Sequence, residues 1–155
     1  MTDPYVLRSG EGRTFHMGPD AIRVLLEADA TDGQFSVLEA SLAPGLPGPP
    51  AHVHRDGLDE IWYVLDGELD FLVGEQTIRA GRGATAYIPA GAVHTFSNPG
   101  DSAARWLGIF RPANGLAMIE ELADAFAADG PPDVDRMMAT FERYQVEVVE
   151  RPPPT

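Results

Sequence analysis

Three of the four histidines in this 155-residue chain lie in two short stretches that could bind a metal ion together. The first stretch is His52-Val53-His54, with Glu60 a few residues on, and the second ends at His94. In a β-strand, residues i and i+2 point to the same face, roughly 6.6 Å apart along the strand. His52 and His54 can therefore direct their donor nitrogens to one point, about 3 Å apart around a metal. Two imidazoles have little reason to approach so closely unless a cation lies between them.

His52, His54, Glu60 and His94 are thus the candidate metal ligands. Three neutral imidazoles and one carboxylate suit iron, manganese, cobalt, nickel or zinc, and an octahedral ion would keep positions open for substrate or oxygen. The alternative is that each histidine is a polar core residue satisfied by hydrogen bonds. The pairing of two histidines ahead of a carboxylate favours the metal site. His16 stands apart in a short N-terminal strand, and we expect it to have a loop or surface role rather than a part in the site.

Short apolar runs alternate with turn signals from about residue 6 to residue 111, a pattern typical of an antiparallel sandwich or barrel. Asp66-Gly67 and Gly74-Glu75 indicate hairpin turns, because glycine adopts positive φ at little cost. The proline-rich segment 44–50 cannot join a sheet ladder and should form a stiff loop leading into the strand of His52. The predicted strands cover residues 22–28, 35–42, 51–54, 60–65, 68–73, 76–79, 84–88, 93–97 and 105–110.

The pattern changes to helical spacing after residue 111. Leu116, Ile119 and Phe126 recur at three- and four-residue steps, and the sequence Gly-Pro-Pro at 130–132 separates this helix from a second one. In the second helix, Val134, Met137, Met138 and Phe141 predict one apolar stripe. We expect the two methionines to pack against the barrel rather than to grip a ligand.

Length and composition predict one domain, spanning 1–155, with a barrel core at about 22–111, a helical extension at about 115–145 and a loose proline-rich tail at 151–155. The chain has no cysteine, which excludes a thiolate metal site. Its net charge of −13 argues against nucleic acid as a partner. The sequence lacks a membrane-spanning run and a basic signal segment, so we expect a cytoplasmic protein without membrane contact.

The two histidine stretches resemble the two sequence motifs of the cupin superfamily. The second motif is similar in full: Gly83, five residues, Pro89-Ala90-Gly91, two residues, His94, three residues and Asn98. The first is similar from His52-x-His54 through Glu60 to Gly67, but five residues separate His54 from Glu60, where the family usually has three or four. We expect the longer turn to leave Glu60 facing inward; otherwise Asp59 could replace it as the ligand.

This resemblance implies a mainly β fold, a cupin-type jelly-roll barrel with two C-terminal α-helices. It implies one divalent transition metal ion inside the barrel, held by His52, His54, Glu60 and His94, and a homodimer. The helices that follow a single barrel are similar to those of bacterial quercetin dioxygenase-like cupins. The first functional hypothesis is therefore an oxygen-dependent dioxygenase that acts on an aromatic, flavonol- or enol-type small molecule. In it, Glu60 is the catalytic residue, which leaves the metal briefly to take the substrate's proton.

Two alternatives remain at this stage. The same ligands could support a non-redox isomerase, cyclase, dehydratase or lyase, in which the metal acts as a Lewis acid. The barrel could also bind a small molecule without catalysis. Aromatic and aliphatic side chains on inward strand faces could either line a pocket for a flat substrate or fill the barrel. The candidates are Phe35, Val37, Trp62, Phe71, Phe96 and Trp106.

Overall fold

Two antiparallel sheets face each other in the computed structural model, which describes residues 4, 6–126 and 131–150. The predicted tail at 151–155 lies outside the described residues. The strands are β1 (Thr14–Met17), β2 (Asp20–Leu26), β3 (Ser36–Leu42), β4 (His52–His54), β5 (Asp59–Asp66), β6 (Glu68–Val73), β7 (Gln76–Gly81), β8 (Thr85–Ile88), β9 (His94–Ser97), β10 (Ala104–Arg111) and β11 (Val146–Val148).

The strand order identifies a jelly roll. One sheet has the order β1-β2-β3-β10-β5-β8, and the other has the order β11-β4-β9-β6-β7. Strands distant in sequence are therefore neighbours, as in β3 beside β10, and the two histidine stretches come together because β4 lies beside β9 and β5 lies beside β8. This confirms the predicted fold class.

The interior is packed with alternate residues of the central strands, since successive side chains of a strand point to opposite faces. In β5, for example, Glu60, Trp62 and Val64 are buried while Ile61 and Tyr63 are about 40% exposed on the outside. The largest interior side chains form one hydrophobic core: Leu38, Leu58, Trp62, Leu69, Phe71, Ile88, Trp106 and Phe110.

Two helices follow the barrel, as predicted: α1 (Asn114–Ala123) and α2 (Val134–Arg143). Asp133 caps α2 by accepting a hydrogen bond of 3.0 Å from the backbone N–H of Arg136. Met137 and Phe141 pack against the core, but Met138 is 51% exposed. The expected packing of Met138 is therefore wrong, because the buried face of α2 is narrower than the apolar stripe.

The structure also contains strands outside the predicted barrel core. The first sheet begins at β1, ahead of residue 22, and the second sheet ends at β11, beyond α2. β11 was not expected from the sequence. Among the described residues, no helix has the length and apolarity to cross a membrane. The cytoplasmic location stays a prediction.

Candidate metal centre

Three strands from the two sheets bring the candidate ligands together. His52 and His54 lie on β4, and His52 pairs in register with His94 on the neighbouring β9. Glu60 lies on β5 in the opposite sheet and points inward, with 5% of its surface exposed. His54 and His94 are also buried, at 2% and 1% exposure. The longer turn before Glu60 therefore leaves this side chain in the barrel interior.

The proline-rich loop holds β4 against β9. The Oγ1–H of Thr95 donates a hydrogen bond of 2.6 Å to the carbonyl of Pro49. Gly48 has φ of 75°, and a Cβ there would lie 1.6 Å from the carbonyl oxygen of Phe96, so only glycine permits this close approach. The loop thereby sets the distance between the strands that carry His52 and His94.

The three imidazoles form a compact group. Their ring centroids are 5.1 Å apart for His52 and His54, 4.3 Å for His52 and His94, and 5.1 Å for His54 and His94. One nitrogen from each ring can be chosen so that all three lie within 4.8 Å of one another. This spacing makes the group a possible metal site.

Hydrogen bonds to backbone carbonyls determine which nitrogens are free. The Nδ1 atom of His52 lies 2.9 Å from the carbonyl oxygen of Pro50, and that of His94 lies 2.9 Å from the carbonyl oxygen of Ala92. Because a carbonyl only accepts, each Nδ1 carries the hydrogen and each Nε2 keeps its lone pair. A backbone carbonyl behind the ring is the usual arrangement for a metal-binding histidine.

The carboxylate of Glu60 contacts two of these rings. Its Oε1 atom lies 2.8 Å from Nε2 of His54 and 3.3 Å from Nε2 of His94. Neither contact has hydrogen-bond geometry, and both Nε2 atoms are buried without a partner, as is Nδ1 of His54. Buried polar atoms without partners are costly. Lone pairs and a carboxylate oxygen that converge in this way fit a cation between them.

The electrostatics of the group favour the protonation states that bind metal. Burial, followed by the proximity of His94, lowers the pKa of His52 from 6.5 to about 4, so this imidazole is neutral at pH 7. Burial would raise the pKa of Glu60, but its contacts with His54 and His94 outweigh burial and hold that pKa well below its usual range. A neutral imidazole and an ionised carboxylate are the ligand forms that a metal requires.

Asp59, the alternative to Glu60, and His16, which was expected to stand apart, both lie away from the histidine group. Asp59 occupies the opposite face of β5, where its Oδ1 accepts a hydrogen bond of 2.9 Å from the N–H of Ala90 and its Oδ2 lies 3.6 Å from the guanidinium of Arg111. Asp59 therefore does not take the place of Glu60. His16 is exposed on β1, where it pairs with Ala21, as its expected surface role requires.

Two of the six pocket candidates are on the wrong face. Phe35 precedes β3 and is 40% exposed, and Val37 points to the outside of β3 because Ser36 and Leu38 are its buried neighbours. The other four aromatic side chains do lie inside. The ring of Trp62 contacts four rings, at centroid distances of 5.0 to 5.6 Å: Phe71, His94, Phe96 and Trp106. These side chains fill the barrel beside the histidines.

Two hydrogen bonds near the site were not predicted from the sequence: that of Trp62, expected only as a lining or filling residue, and that of Asn114 to the turn before Glu60. The indole Nε1–H of Trp62 donates a hydrogen bond of 2.7 Å to Oε2 of Glu60. The side-chain amide of Asn114 donates one of 2.7 Å to Oδ2 of Asp56 in the longer turn, whose Leu58 is buried. The position of Trp62 two residues after Glu60 was a usable signal, because it places both on one strand face. Nothing in the sequence links Asn114 to the turn.

Comparison with known proteins is consistent with this geometry. Residues 38–110 match the family model described as "Cupin domain". Quercetin 2,3-dioxygenase of Bacillus subtilis is 34% identical over 93 residues, which are 60% of this chain. The chain spans 27% of that enzyme's length.

Solved structures show the same fold. A predicted oxalate decarboxylase from Thermotoga maritima is 22% identical, with a TM-score of 0.63 over 70% of this chain and 99% of that one. The polyketide cyclase RemF from Streptomyces resistomycificus is 19% identical, with a TM-score of 0.59 over 70% of this chain and 80% of that one. At these identities, the likeness is one of fold alone.

Proposed function

Since this chain belongs to the cupin superfamily, we propose that it is a metal-dependent enzyme that cleaves an aromatic, flavonol- or enol-type small molecule with dioxygen. The observation that carries the proposal is the convergence of buried, unpartnered imidazole nitrogens on Oε1 of Glu60. The identity to quercetin 2,3-dioxygenase supports the choice of reaction.

In this proposal, His52, His54, Glu60 and His94 hold one divalent transition metal ion. The ion, when bound, supplies the redox or Lewis-acid chemistry that activates an enol-type substrate toward oxygen. The imidazoles of His52 and His94 keep their positions through the carbonyls of Pro50 and Ala92, while the aromatic side chains around Trp62 exclude water from one side. A dry environment strengthens every charge interaction at the site.

Glu60 is the proposed base. A carboxylate beside a cation is a weak base, because the cation lowers its pKa. It would become effective where Oε1 lies within hydrogen-bond distance of the hydroxyl group of a bound substrate and accepts its proton. The contacts of Oε1 with two imidazoles would be replaced by that proton, while Oε2 stays bonded to Trp62.

The experiment that tests this function starts from metal-free protein reloaded separately with iron, manganese, cobalt, nickel and zinc. Each form is mixed with a flavonol or a small diketone, and oxygen uptake is followed with an electrode. We expect one metal per chain and substrate-dependent oxygen uptake with at least one redox-active metal. Glu60→Gln serves as a matched control of similar size, and we expect it to lower the rate at least 100-fold.

The second candidate function is a non-redox isomerase, cyclase, dehydratase or lyase. Its support is that the grouped imidazoles could hold a metal that acts as a Lewis acid without oxygen, and the fold itself also occurs in a polyketide cyclase and a predicted oxalate decarboxylase. Substrate turnover that continues without oxygen would favour this alternative over the dioxygenase. A metal-free protein that binds its small molecule with full affinity and converts nothing would favour a binding protein instead.

A further inference from the structure

We infer that Trp62 is a positioning residue, whose indole N–H fixes Oε2 of Glu60 so that Oε1 faces the imidazoles of His54 and His94. This inference rests on the metal site of the proposed function. The hydrogen bond from Nε1 to Oε2 is 2.7 Å long, and the two side chains are 1% and 5% exposed. Oε1 of the same carboxylate is the atom that contacts His54 and His94. The two oxygens therefore have separate roles.

The strand determines this arrangement. Glu60 and Trp62 are two residues apart on β5, so both side chains point into the barrel. The indole cannot turn away, because its ring is enclosed by Phe71, Phe96 and His94. A charge-assisted hydrogen bond between buried groups is among the stronger polar contacts in a protein.

The terminal torsion of a glutamate is soft, so a carboxylate without this bond would rotate between its two oxygens. Rotation would allow Oε2 as well as Oε1 to face the imidazoles, and the carboxylate of Glu60 would then adopt several orientations. Loss of an outer partner of a metal ligand typically weakens metal affinity by about 10- to 100-fold. We therefore expect removal of the indole N–H to weaken metal binding and to change the ligand geometry.

The chain offers a matched control. Trp106, its other tryptophan, is 5% exposed in the same interior, and its Nε1 is buried without a hydrogen-bond partner. Trp62→Phe and Trp106→Phe make the same change of side chain, 5.5 Å apart between ring centroids. Only the first removes a donor from Glu60.

The experiment measures Co²⁺ affinity by chelator competition and the visible spectrum of the Co²⁺ form, which reports ligand geometry. We expect Trp62→Phe to weaken affinity at least 10-fold and to alter the spectrum. Trp106→Phe should stay within about twofold of the original protein, with an unchanged spectrum. Equal affinities and spectra for the two variants would overturn the inference, while an original protein that fails to bind Co²⁺ would overturn the metal site as well.

A double-mutant cycle separates positioning from general damage to the barrel. In a Glu60→Ala background, Trp62→Phe should change Co²⁺ affinity less than twofold, because the side-chain oxygens through which the indole acts are gone. A purely structural role would weaken affinity equally in both backgrounds, which would overturn the inference.

A further measurement leaves Trp62 unchanged, so it can be made even if Trp62→Phe does not fold. In ¹⁵N-labelled protein, we expect Glu60→Ala, which removes the acceptor, to shift the Trp62 indole resonance and to speed its exchange with solvent. The Trp106 resonance, assigned with Trp106→Phe, should stay in place. No shift at Trp62 would overturn the inference.

Discussion

Acidification should lower the stability of the metal-free protein, because His52 is buried and the folded protein disfavours its charged form. The unfolded chain has an ordinary histidine pKa of 6.5 at this position, whereas burial and His94 lower the folded pKa to about 4. Between these values the unfolded chain binds a proton that the folded protein excludes. Stability from this group is therefore present above pH 6.5 and is lost as the pH falls toward 4.

The size of the effect follows from the two pKa values. Between pH 7 and pH 5, the unfolded chain binds more protons at His52 than the folded protein does. Integrated over this range, the difference is equivalent to about 1.4 pKa units and lowers the free energy of unfolding by roughly 2 kcal/mol. With a urea dependence of about 2 kcal/mol per molar, the midpoint should fall by roughly 1 M. The pKa of Glu60 is lowered, so its contribution is lost mainly below about pH 4.5, outside this window.

The assay is urea unfolding at pH 7 and pH 5 in the presence of a chelator, followed by circular dichroism. His52→Asn is the comparison, because asparagine does not titrate and its amide can still donate to the carbonyl of Pro50. We expect the variant to lose roughly 2 kcal/mol less than the original protein between the two pH values. Equal losses in both proteins would refute the reasoning, since His52 would then be charged or exposed in the folded state.

Three further predictions address the site, the core and the assembly. His94→Ala should lower the metal content per chain several-fold, whereas His16→Ala should leave it unchanged; equal contents by elemental analysis would count against the site. Asn98 is 1% exposed and donates to the carbonyls of residues 42, 43 and 102. Its change to Ala should therefore cost about 2–4 kcal/mol in urea unfolding, and a cost below about 1 kcal/mol would show that these carbonyls find other donors. For the expected homodimer, Tyr87 and Ile61 pair in register on the outer sheet face and are 59% and 40% exposed. Light scattering should give a mass near twice 16.7 kDa for the original protein and a monomer for Tyr87→Glu, and a monomeric original protein would contradict the prediction.

The histidine group could be anticipated because its geometry is local. The spacing of His52 and His54 depends only on strand periodicity, and His94 follows a turn that ends at the start of β9. The prediction was wrong for the side of β3 on which Val37 lies, because no functional residue on that strand indicates which face is buried. Val37 was expected inside with Trp62, but register places Leu38 in the interior instead, and one residue of register reverses every side chain of a strand.

Local sequence patterns could not predict contacts between segments that are distant in the sequence. Val146-Glu147-Val148 is too short to stand out as a strand, and it becomes one only through its hydrogen bonds to β4. Met138 shows the same dependence for a helix, since its apolar character predicted burial while the position of α2 leaves it exposed. In both cases, the deciding contact lies in another part of the chain.

The C-terminal segment has a direct connection to the candidate metal site through this pairing. β4 carries two of the three imidazoles, yet it pairs with β9 at one register position only, while β11 pairs with all three of its residues. The ladder continues at both ends, where the N–H of Arg55 donates to the carbonyl of Gln145 and the N–H of Val149 donates to that of Ala51. The segment that supports β4 thus lies outside residues 38–110, the part that matches the family model. The strand with the paired histidines therefore has its edge covered by a part of the chain that the family motifs do not include, and its geometry depends on that segment as much as on the barrel.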